Sequence, residues 1–482
     1  MPRHERRGWT GATAPCLVLI GLAGCLVYLN SVSNPFMFDD IAAIVDNGQI
    51  RQLSDWSNVL QPQRERPVAG RPLVSLSLAL NYAAGGLHVG GYHAVNIAVH
   101  VICGLLLFLV TRRGLMLPRM PARVSGRAAS VSFVAALVWT VHPLNTEVVN
   151  YITQRTESMM ALFYLLTLYA SVRALDRPGT ARWEMVAVLS CLSGMACKQS
   201  MVTAPFMVIV IDRLFVFGSF QEAWQARRRL YTGLAATWLL LAFLQAGGPN
   251  VRSAGFSTGV SPWTYLLNQA PLIVHYLHLA VWPRELVLLY GWPRPLVLAD
   301  VLPSAVLIVA LLAVTAAGLR YRPKLAFLGA WFWITLAPTS SFVPIATEVG
   351  AEKRMYLPLA GLVLLLTIGT AWLGDLLKAR LPAAARFTRA RHVAVATLVA
   401  AVTAALASAT VGRNREYSSP LSMARTILDR YPTPIAHHML ANTLLEAGQP
   451  QEAFFHLRQA LPGAPFARET LGTALPTGRA ST

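Results

Sequence analysis

The sequence predicts an all-α polytopic membrane protein, with a bundle of about 11 transmembrane helices and a short helical tail. Of its 482 residues, 55% are hydrophobic and only 13% are charged, whereas a soluble domain carries about 25% charged residues. The apolar residues form repeated runs, and a run of roughly 20 residues spans a bilayer. Lys and Arg gather in short loops between the runs, as in cytoplasmic loops. The net charge of +19 is therefore attributed to membrane topology and not to nucleic-acid binding.

The predicted spans follow the apolar runs in chain order. A basic N-terminal stretch precedes the first run, which we expect to be an uncleaved helix because many further spans follow it. The spans cover about residues 14–30, 91–110 and 128–141, a fourth that follows residue 155 and ends near 174, then 183–196, 201–217, a seventh that ends near 246, and finally 301–319, 325–336, 356–377 and 392–411.

The distribution of positive charge predicts which loops share a side of the membrane. If the N-terminus and the basic loops are cytoplasmic, the alternate loops lie outside. The parity then requires that the apolar piece 263–282, which Pro271 interrupts, is a re-entrant or surface helix. The prediction is an integral inner (plasma) membrane protein with a cytoplasmic N-terminus and an extracytoplasmic C-terminal tail. The predicted external segments are 31–88, 143–156, 197–200, 247–300 and 338–355.

The chain divides into a membrane domain, 1–412, and a tail, 413–482. Residues 434–448 are predicted to form a helix and turn, and 450–465 a second helix. Together they approximate one tetratricopeptide-like unit of about 34 residues. So few repeats cannot bury a solenoid core by themselves. The tail is therefore expected to dock on the membrane domain or on a partner, or to be a remnant.

The polar residues that could carry chemistry all fall in the external segments. An adjacent acidic pair, Asp39 and Asp40, follows the first span, where carboxylates are costly unless they face water, pair with cations or do chemistry. A carboxylate can take a proton from a hydroxyl group, and Arg or Lys can hold a phosphate. The candidates are Asp39, Asp40, Arg66, Arg71, His142, Glu147, Arg155, Glu157, Lys198, Glu352, Lys353 and Arg354.

Each candidate also has an ordinary structural interpretation. Asp39 or Asp40 could cap a short helix that begins at Ile41, and His142 with Pro143 could simply end a helix. The remaining charged residues could be interfacial anchors or solvated charges. These are Arg155, Glu157, Lys198, Glu352, Lys353 and Arg354.

An ordered set of motifs covers nearly the whole chain. The motifs are Asn34 to Asp40, Arg71-Pro72-Leu73 with Leu80-Asn81-Tyr82, Gly91 to Asn96 with His100, His142-Pro143 through Arg155, Lys198 followed by Asp212-Arg213-Leu214, and Glu352 to Arg354 before Tyr356-Leu357-Pro358. With these motifs the chain resembles the transmembrane and tetratricopeptide-repeat-containing O-mannosyltransferases and their bacterial relatives, which have the GT-C fold. The repeat region is much shorter than in the eukaryotic members.

The resemblance implies a GT-C-type bundle and an inverting transfer of a sugar, with mannose as the default. The donor would be a polyprenyl-phosphate-linked sugar, and the acceptor a hydroxyl group of a protein or an envelope glycan. No cofactor is implied, although an Asp pair also offers the oxygen ligands that Mg²⁺ or Mn²⁺ would take, so metal dependence stays open. The implied roles are catalysis by Asp39 or Asp40, donor-phosphate binding by Arg155, Lys353 and Arg354 and, less closely matched, by Arg71 and Lys198, and support from His142, Glu147, Glu157 and Glu352.

Two other function classes remain open from the sequence. A transporter or lipid flippase could use the same cavity, but it would be expected to contain two related halves with discontinuous spans. A non-enzymatic membrane scaffold could present the tail as a tetratricopeptide adaptor, which would fit better with several repeats than with one.

Overall fold

The computed structural model describes residues 13–176, 181–246, 255, 259–345, 347–380, 388–464 and 467–474. Within these ranges the regular structure is entirely helical, which confirms the predicted all-α class. The basic N-terminal stretch that the topology prediction uses lies outside the described residues.

Every predicted span coincides with a helix. In chain order the helices of the membrane domain are α1 (Thr13–Tyr28), α2 (Trp56–Leu60), α3 (Pro72–Gly85), α4 (Val89–Gly114), α5 (Ala122–Ser125), α6 (Ala128–Thr140), α7 (Thr146–Asn150), α8 (Arg155–Ala174), α9 (Ala181–Met195), α10 (Ala204–Phe215), α11 (Phe220–Ala246), α12 (Pro262–Val281), α13 (Leu298–Tyr321), α14 (Pro323–Leu336), α15 (Pro358–Arg380) and α16 (Thr388–Glu416).

Five helical segments of the described chain are long and apolar enough to cross a membrane, namely Thr13–Ser31, Val89–Gly114, Leu298–Tyr321, Pro358–Leu376 and Val393–Glu416. A sixth is added if α6 and the following segment Pro143–Asn150, which meet at 55°, count as one broken span. The other predicted spans are helices that are shorter or more polar. The chain is a multi-pass membrane protein.

The first part of the bundle is held together by close helix contacts at small residues. A Cβ added at Gly24 of α1 would lie 2.8 Å from Cγ2 of Val101 in α4 and 2.9 Å from Cγ2 of Thr140 in α6. Gly104 of α4 likewise faces the Thr140 side chain. Small residues let helix backbones approach closely where lipid offers no hydrophobic driving force. These contacts fix α1, and hence the loop that follows it, against α4 and α6.

Helix α12 occupies the position of the predicted re-entrant or surface segment. It begins after Ser261, whose side chain accepts a hydrogen bond from the Thr264 N–H (3.0 Å). Its polar side chains bind the loop before α15: the Tyr265 hydroxyl donates to Thr339 O (2.9 Å) and Gln269 Nε2 donates to Val349 O (2.9 Å). Helix α12 is not one of the described segments that are long and apolar enough to cross a membrane.

In its described residues, 413–464 and 467–474, the tail forms four short helices after the end of α16: α17 (Pro420–Arg430), α18 (Pro434–Glu446), α19 (Pro450–Ala460) and α20 (Ala467–Ala474). The starts of α17 and α18 follow from local sequence. Ser419 and Thr433 each accept a hydrogen bond from the backbone three residues ahead (3.0 and 3.2 Å), and each precedes a proline. A capping hydroxyl followed by proline at the first helical position is a strong helix start.

The tail docks on the membrane domain. Met423 and Ile427 of α17 are buried in one cluster with Met37 and Tyr151 of the membrane domain. Arg430 adds a hydrogen bond from its guanidinium to Leu286 O (2.6 Å). Of the expectations for the tail, docking on the membrane domain is therefore the one that the structure supports. Because Met37 belongs to the loop that carries Asp39 and Asp40, the tail and the acidic pair lie at the same end of the bundle.

Ile427→Ala should weaken this docking. Replacing a buried isoleucine with alanine lowers the free energy of unfolding by about 2–5 kcal/mol. Here the lost packing lies in the contact between α17 and the loop that contains Met37. We expect a lower thermal unfolding midpoint and faster amide hydrogen exchange in residues 37–40. Phe455→Ala, on an exposed side chain of α19, is the matched control and should change stability by less than about 0.5 kcal/mol. Unchanged exchange in both variants would contradict the docking role.

Candidate active site

The acidic pair lies in a tight turn between α1 and α2 that is anchored at its start. The ring Nε2–H of His93 in α4 donates to Asn34 O (2.9 Å). Phe38 has φ 50°, a left-handed conformation that is unusual for a bulky residue. Such strain persists only where surrounding contacts impose it, and it is concentrated at functional sites. The turn therefore directs Asp39 and Asp40 to different surroundings.

Asp40 is fully buried and bound by backbone and side-chain donors. Its Oδ1 accepts hydrogen bonds from the Thr153 N–H (2.7 Å) and the Thr153 hydroxyl, and its Oδ2 accepts one from the Met37 N–H (3.3 Å). Burial raises the pKa of Asp40 to about 7, although the hydrogen bonds from Thr153 and Met37 oppose that rise. Asp40 precedes the helical turn Ile41–Val45, yet its side chain makes no capping hydrogen bond there. The capping interpretation does not hold for Asp40.

Asp39 points into a recess that water can reach. Its side chain is exposed, while its backbone N–H donates to the Tyr151 hydroxyl (2.9 Å). Desolvation by the surrounding protein nevertheless raises the pKa of Asp39, and the positive charges of Lys353 and Arg71 oppose the rise. A carboxylate that is accessible yet crowded by protein lies in a concave site. Asp39 is thus the member of the pair that a bound ligand could contact.

Positive and negative side chains alternate around this recess. The Lys353 ammonium lies 2.7 Å from Glu348 Oε1 and 3.2 Å from Glu147 Oε1, and the Lys353 N–H donates to Glu147 Oε2 (2.8 Å). Burial alone would lower the pKa of Lys353, but the two carboxylates outweigh it and hold that pKa above its ordinary value. Lys198 forms an ion pair with Glu157.

Arg71 connects the acidic turn with these ion pairs. It interacts electrostatically with Glu157, Asp39 and Glu348. In the described chain its guanidinium has a single hydrogen bond, from Nη1 to Pro67 O (3.0 Å). Most of its donors are therefore left for a ligand. Arg71, Lys198 and Lys353 all lie within electrostatic reach of Asp39 or of its charged neighbours.

The two other guanidinium groups of the predicted phosphate site are engaged by protein groups. Arg155 is completely buried. Its Nε donates to Asn96 Oδ1 (2.7 Å), its Nη1 to Asn81 Oδ1 (2.6 Å) and its Nη2 to Tyr92 O (3.0 Å). This geometry fits a structural role that fixes the start of α8, and it favours other cations as ligands for an anion.

Arg354 is held in a similar way. Its Nη1 donates to the Tyr265 hydroxyl (3.0 Å) and to Thr339 O (3.0 Å), and its Nη2 donates to Glu348 O (2.6 Å). Arg354 thereby fastens the loop before α15 to α12. Lys353, its neighbour in sequence, faces the recess instead.

His142, Glu352 and Arg66 bind groups of the surrounding protein and hold the segments around the recess in place. His142 is buried; its Nδ1 accepts from the Leu144 N–H (3.2 Å) and its Nε2–H donates to Ala280 O (3.3 Å), so it starts the helical turn Pro143–Asn145 and joins it to α12. Glu352 is buried and accepts from the Val287 N–H (2.5 Å) and the Tyr290 hydroxyl (3.2 Å). Arg66 binds Ala42 O and Asp46 O (2.8 and 3.1 Å) and closes the loop after the acidic pair.

Three residues of the site were not singled out from the sequence. Tyr151 and Thr153, which bind Asp39 and Asp40, lie in the motif that runs from His142 to Arg155. The sequence therefore indicated the segment but not the roles of these two residues. Glu348 precedes Lys353 by five positions. Its carboxylate in the predicted external segment 338–355 could have identified it as a candidate. Among the described residues, no group of three or more His, Cys, Asp or Glu could hold a metal ion.

Arg155→Lys should destabilise the fold if Arg155 is structural. Lysine cannot reproduce the planar set of donors, and each buried acceptor left unpaired costs about 1–3 kcal/mol. We expect poor accumulation and a lower unfolding midpoint. The control Arg64→Lys, at an exposed position of the first external loop, should match wild type within about 0.5 kcal/mol. A stable Arg155→Lys protein that is deficient only in ligand binding would contradict the structural role.

Glu352→Gln should change how stability depends on pH. Burial raises the pKa of Glu352 to about 8, so between about pH 4.3 and that value the folded state binds more protons than the unfolded state. Wild-type stability therefore falls as the pH rises through this window. Glutamine keeps an acceptor oxygen and does not titrate, so the variant should match wild type at pH 5 and melt about 2–4 °C higher at pH 8. Parallel pH profiles would refute this assignment.

Comparison with known proteins places the chain among longer relatives. No family model matches the sequence. The chain is 30% identical over 324 residues to protein O-mannosyl-transferase Tmtc1 of Drosophila melanogaster, a match that covers 59% of this chain and 36% of that protein. It is 27% identical over 424 residues to protein O-mannosyl-transferase TMTC4 of Mus musculus, with 76% and 57% covered. The human TMTC4 protein gives 26% over 408 residues, with 73% and 55% covered.

The chain thus spans between about a third and just over half of the length of the curated relatives it matches. A solved structure, ArnT from Cupriavidus metallidurans bound to undecaprenyl phosphate, covers 95% of this chain and 77% of its own at 14% identity, with a TM-score of 0.39. The sequence matches confirm the resemblance inferred from the motifs: the chain is similar to the TMTC protein O-mannosyl-transferases.

Proposed function

We propose that the chain is an inverting glycosyltransferase. It moves a sugar, with mannose as the default, from a polyprenyl-phosphate donor to a hydroxyl group of a protein or an envelope glycan. The names of its relatives support the transfer of a mannosyl group, although those proteins are longer than this chain. The single observation that carries the proposal is the accessible Asp39 carboxylate in a recess bordered by the cations of Arg71 and Lys353.

Asp39 has the properties of a general base. It is accessible, its position is fixed by the bond from its N–H to the Tyr151 hydroxyl, and desolvation raises the pKa of its carboxyl group. A carboxylate with a raised pKa accepts a proton more readily, and general-base catalysis contributes about 10²–10⁴-fold to a rate. Asp40, buried on Thr153, would set the position of Asp39 without contacting the acceptor.

Arg71, Lys198 and Lys353 are the proposed ligands of the donor phosphate. Each ammonium group is at present balanced by carboxylates, Lys353 by Glu348 and Glu147 and Lys198 by Glu157. A bound phosphate would share these cations with the carboxylates and would meet the available donors of Arg71. Positive groups fixed in advance around a developing negative charge are a large source of catalysis.

In the proposed reaction the acceptor hydroxyl attacks the anomeric carbon in a single displacement. Its proton passes to the Asp39 carboxylate as the new carbon–oxygen bond forms. The bond from the anomeric carbon to the phosphate oxygen breaks, and its electron pair leaves with the polyprenyl phosphate, which Arg71, Lys198 and Lys353 stabilise. One displacement inverts the configuration at that carbon. The reaction takes place at the end of the bundle that carries the acidic loop, which the positive-inside rule assigns to the outside.

Asp39→Asn should lower transfer by about 10²–10⁴-fold while folded protein still accumulates. Asp40→Asn keeps one oxygen to accept from Thr153 and should lower transfer by less than about tenfold. The assay follows label from polyprenyl-phosphate sugars to products when purified protein is incubated with cell-envelope extract.

Asp46→Asn, an exposed acid in the same loop, is the matched control and should retain wild-type activity. Full transfer by Asp39→Asn would refute the base assignment. Absence of transfer by wild-type protein with every polyprenyl-phosphate sugar tested would refute the proposed function itself.

A further inference from the structure

An apolar slot lies at the end of the bundle opposite the acidic loop. It opens between α4, α8, α10, α14 and α15 and contains about 770 Å³ of empty space, part of it open to the surroundings. On α4, which begins next to the acidic turn and runs 26 residues to Gly114, the residues that line the slot lie between Leu107 and Gly114, toward the far end of the helix.

The slot is lined by hydrocarbon and aromatic side chains. Leu107, Val110, Phe215, Leu328 and Trp331 form much of its wall. These residues lie toward the ends of α4 and α10 and near the middle of α14, and the slot extends from there to Lys324 in the first turn of α14. Such a shape suits a flexible hydrocarbon chain better than a polar solute.

Three basic residues lie on chain segments that meet at the mouth of the slot. Lys324 is part of the lining, and its ammonium donates to Arg119 O. The Arg119 N–H donates to Phe215 O (3.1 Å), and its Nη1 lies 3.4 Å from Arg213 O. The chain segments that carry Lys324, Arg119 and Arg213 are thus joined by direct hydrogen bonds.

These cations have no acidic partner among the described residues, whereas three arginines nearby do. Arg113, Arg127 and Arg227 lie at the same end of the bundle and bind Asp176, Asp375 and Asp212 at 2.8, 2.6 and 2.6 Å. Among the described residues, Lys324, Arg119 and Arg213 form no ion pair within 4.0 Å. Positive charge is therefore left unbalanced beside an apolar slot.

We propose that this slot binds one acidic phospholipid of the membrane leaflet on that side. One acyl chain fills the slot, and the headgroup phosphate lies between Lys324 and Arg213. A neutral lipid would leave the cations unbalanced, and a soluble anion would leave the apolar wall exposed to water. Basic residues at the membrane surface next to helices favour acidic lipid headgroups. The site does not depend on the proposed sugar transfer, because no residue proposed for that reaction lines the slot.

The test is lipid retention by the full chain, purified from membranes of equal parts phosphatidylglycerol and phosphatidylethanolamine and measured by native mass spectrometry. We expect one phosphatidylglycerol to remain bound after detergent exchange. Arg213→Gln with Lys324→Gln should lower its retention roughly thirtyfold, as expected for two basic residues near an anionic lipid. Arg228→Gln with Arg229→Gln, which removes two exposed charges after α10, should retain it.

A second variant fills the slot without removing charge. A Cβ at Gly114 would meet no heavy atom within 4 Å, so Gly114→Phe places a ring in the slot and should also expel the lipid. Gly369→Phe, at an exposed glycine of α15 with similar free space, is its control. Equal retention of both phospholipids, equal loss in test and control variants, or retention of a polyprenyl phosphate instead would overturn the proposal.

Discussion

The arrangement of the site depends on the contact between the Asp40 carboxylate and Thr153. This contact joins the turn after α1 to the segment before α8 through two hydrogen bonds to one carboxylate oxygen. Asn96 holds the same segment from the other side, with hydrogen bonds to Val149 O and Ile152 O (3.2 and 3.3 Å). Hydrogen bonds to a buried carboxylate are strong because little water competes for it. With Asp40 fixed inward, the strained backbone at Phe38 leaves Asp39 directed into the recess.

The recess holds several positive and negative side chains close together. Lys353 is paired with Glu147 and Glu348, and Lys198 is paired with Glu157, which makes the burial of these two cations tolerable, since an unpaired buried charge is costly. The same pairing lets the cations be shared with an incoming phosphate without a large rearrangement. Preorganised charge of this kind acts where negative charge develops during a reaction. The tail adds to the order of this region, because α17 packs on the Met37 side of the acidic turn.

Sequence patterns predicted the helices and the region of the site, but not the division of roles within it. Every predicted span corresponds to a helix because apolar length is imposed by the bilayer. The sequence could not assign different roles to Asp39 and Asp40, because the backbone conformation of the single residue Phe38 decides which carboxylate is buried. Arg155 and Lys353 both lie next to carboxylates in the external segments, yet their surroundings differ: Arg155 is enclosed by Asn81, Asn96 and Tyr92 O, partners that are distant in sequence. Only tertiary packing reveals that difference.

The most direct measurement is a cryo-electron microscopy structure of the full chain in lipid with a polyprenyl phosphate added. The account predicts the phosphate between Arg71, Lys198 and Lys353, with the Asp39 carboxylate facing it across the recess and Asp40 still bound to Thr153. A phosphate bound elsewhere, with Asp39 remote from it, would contradict the account.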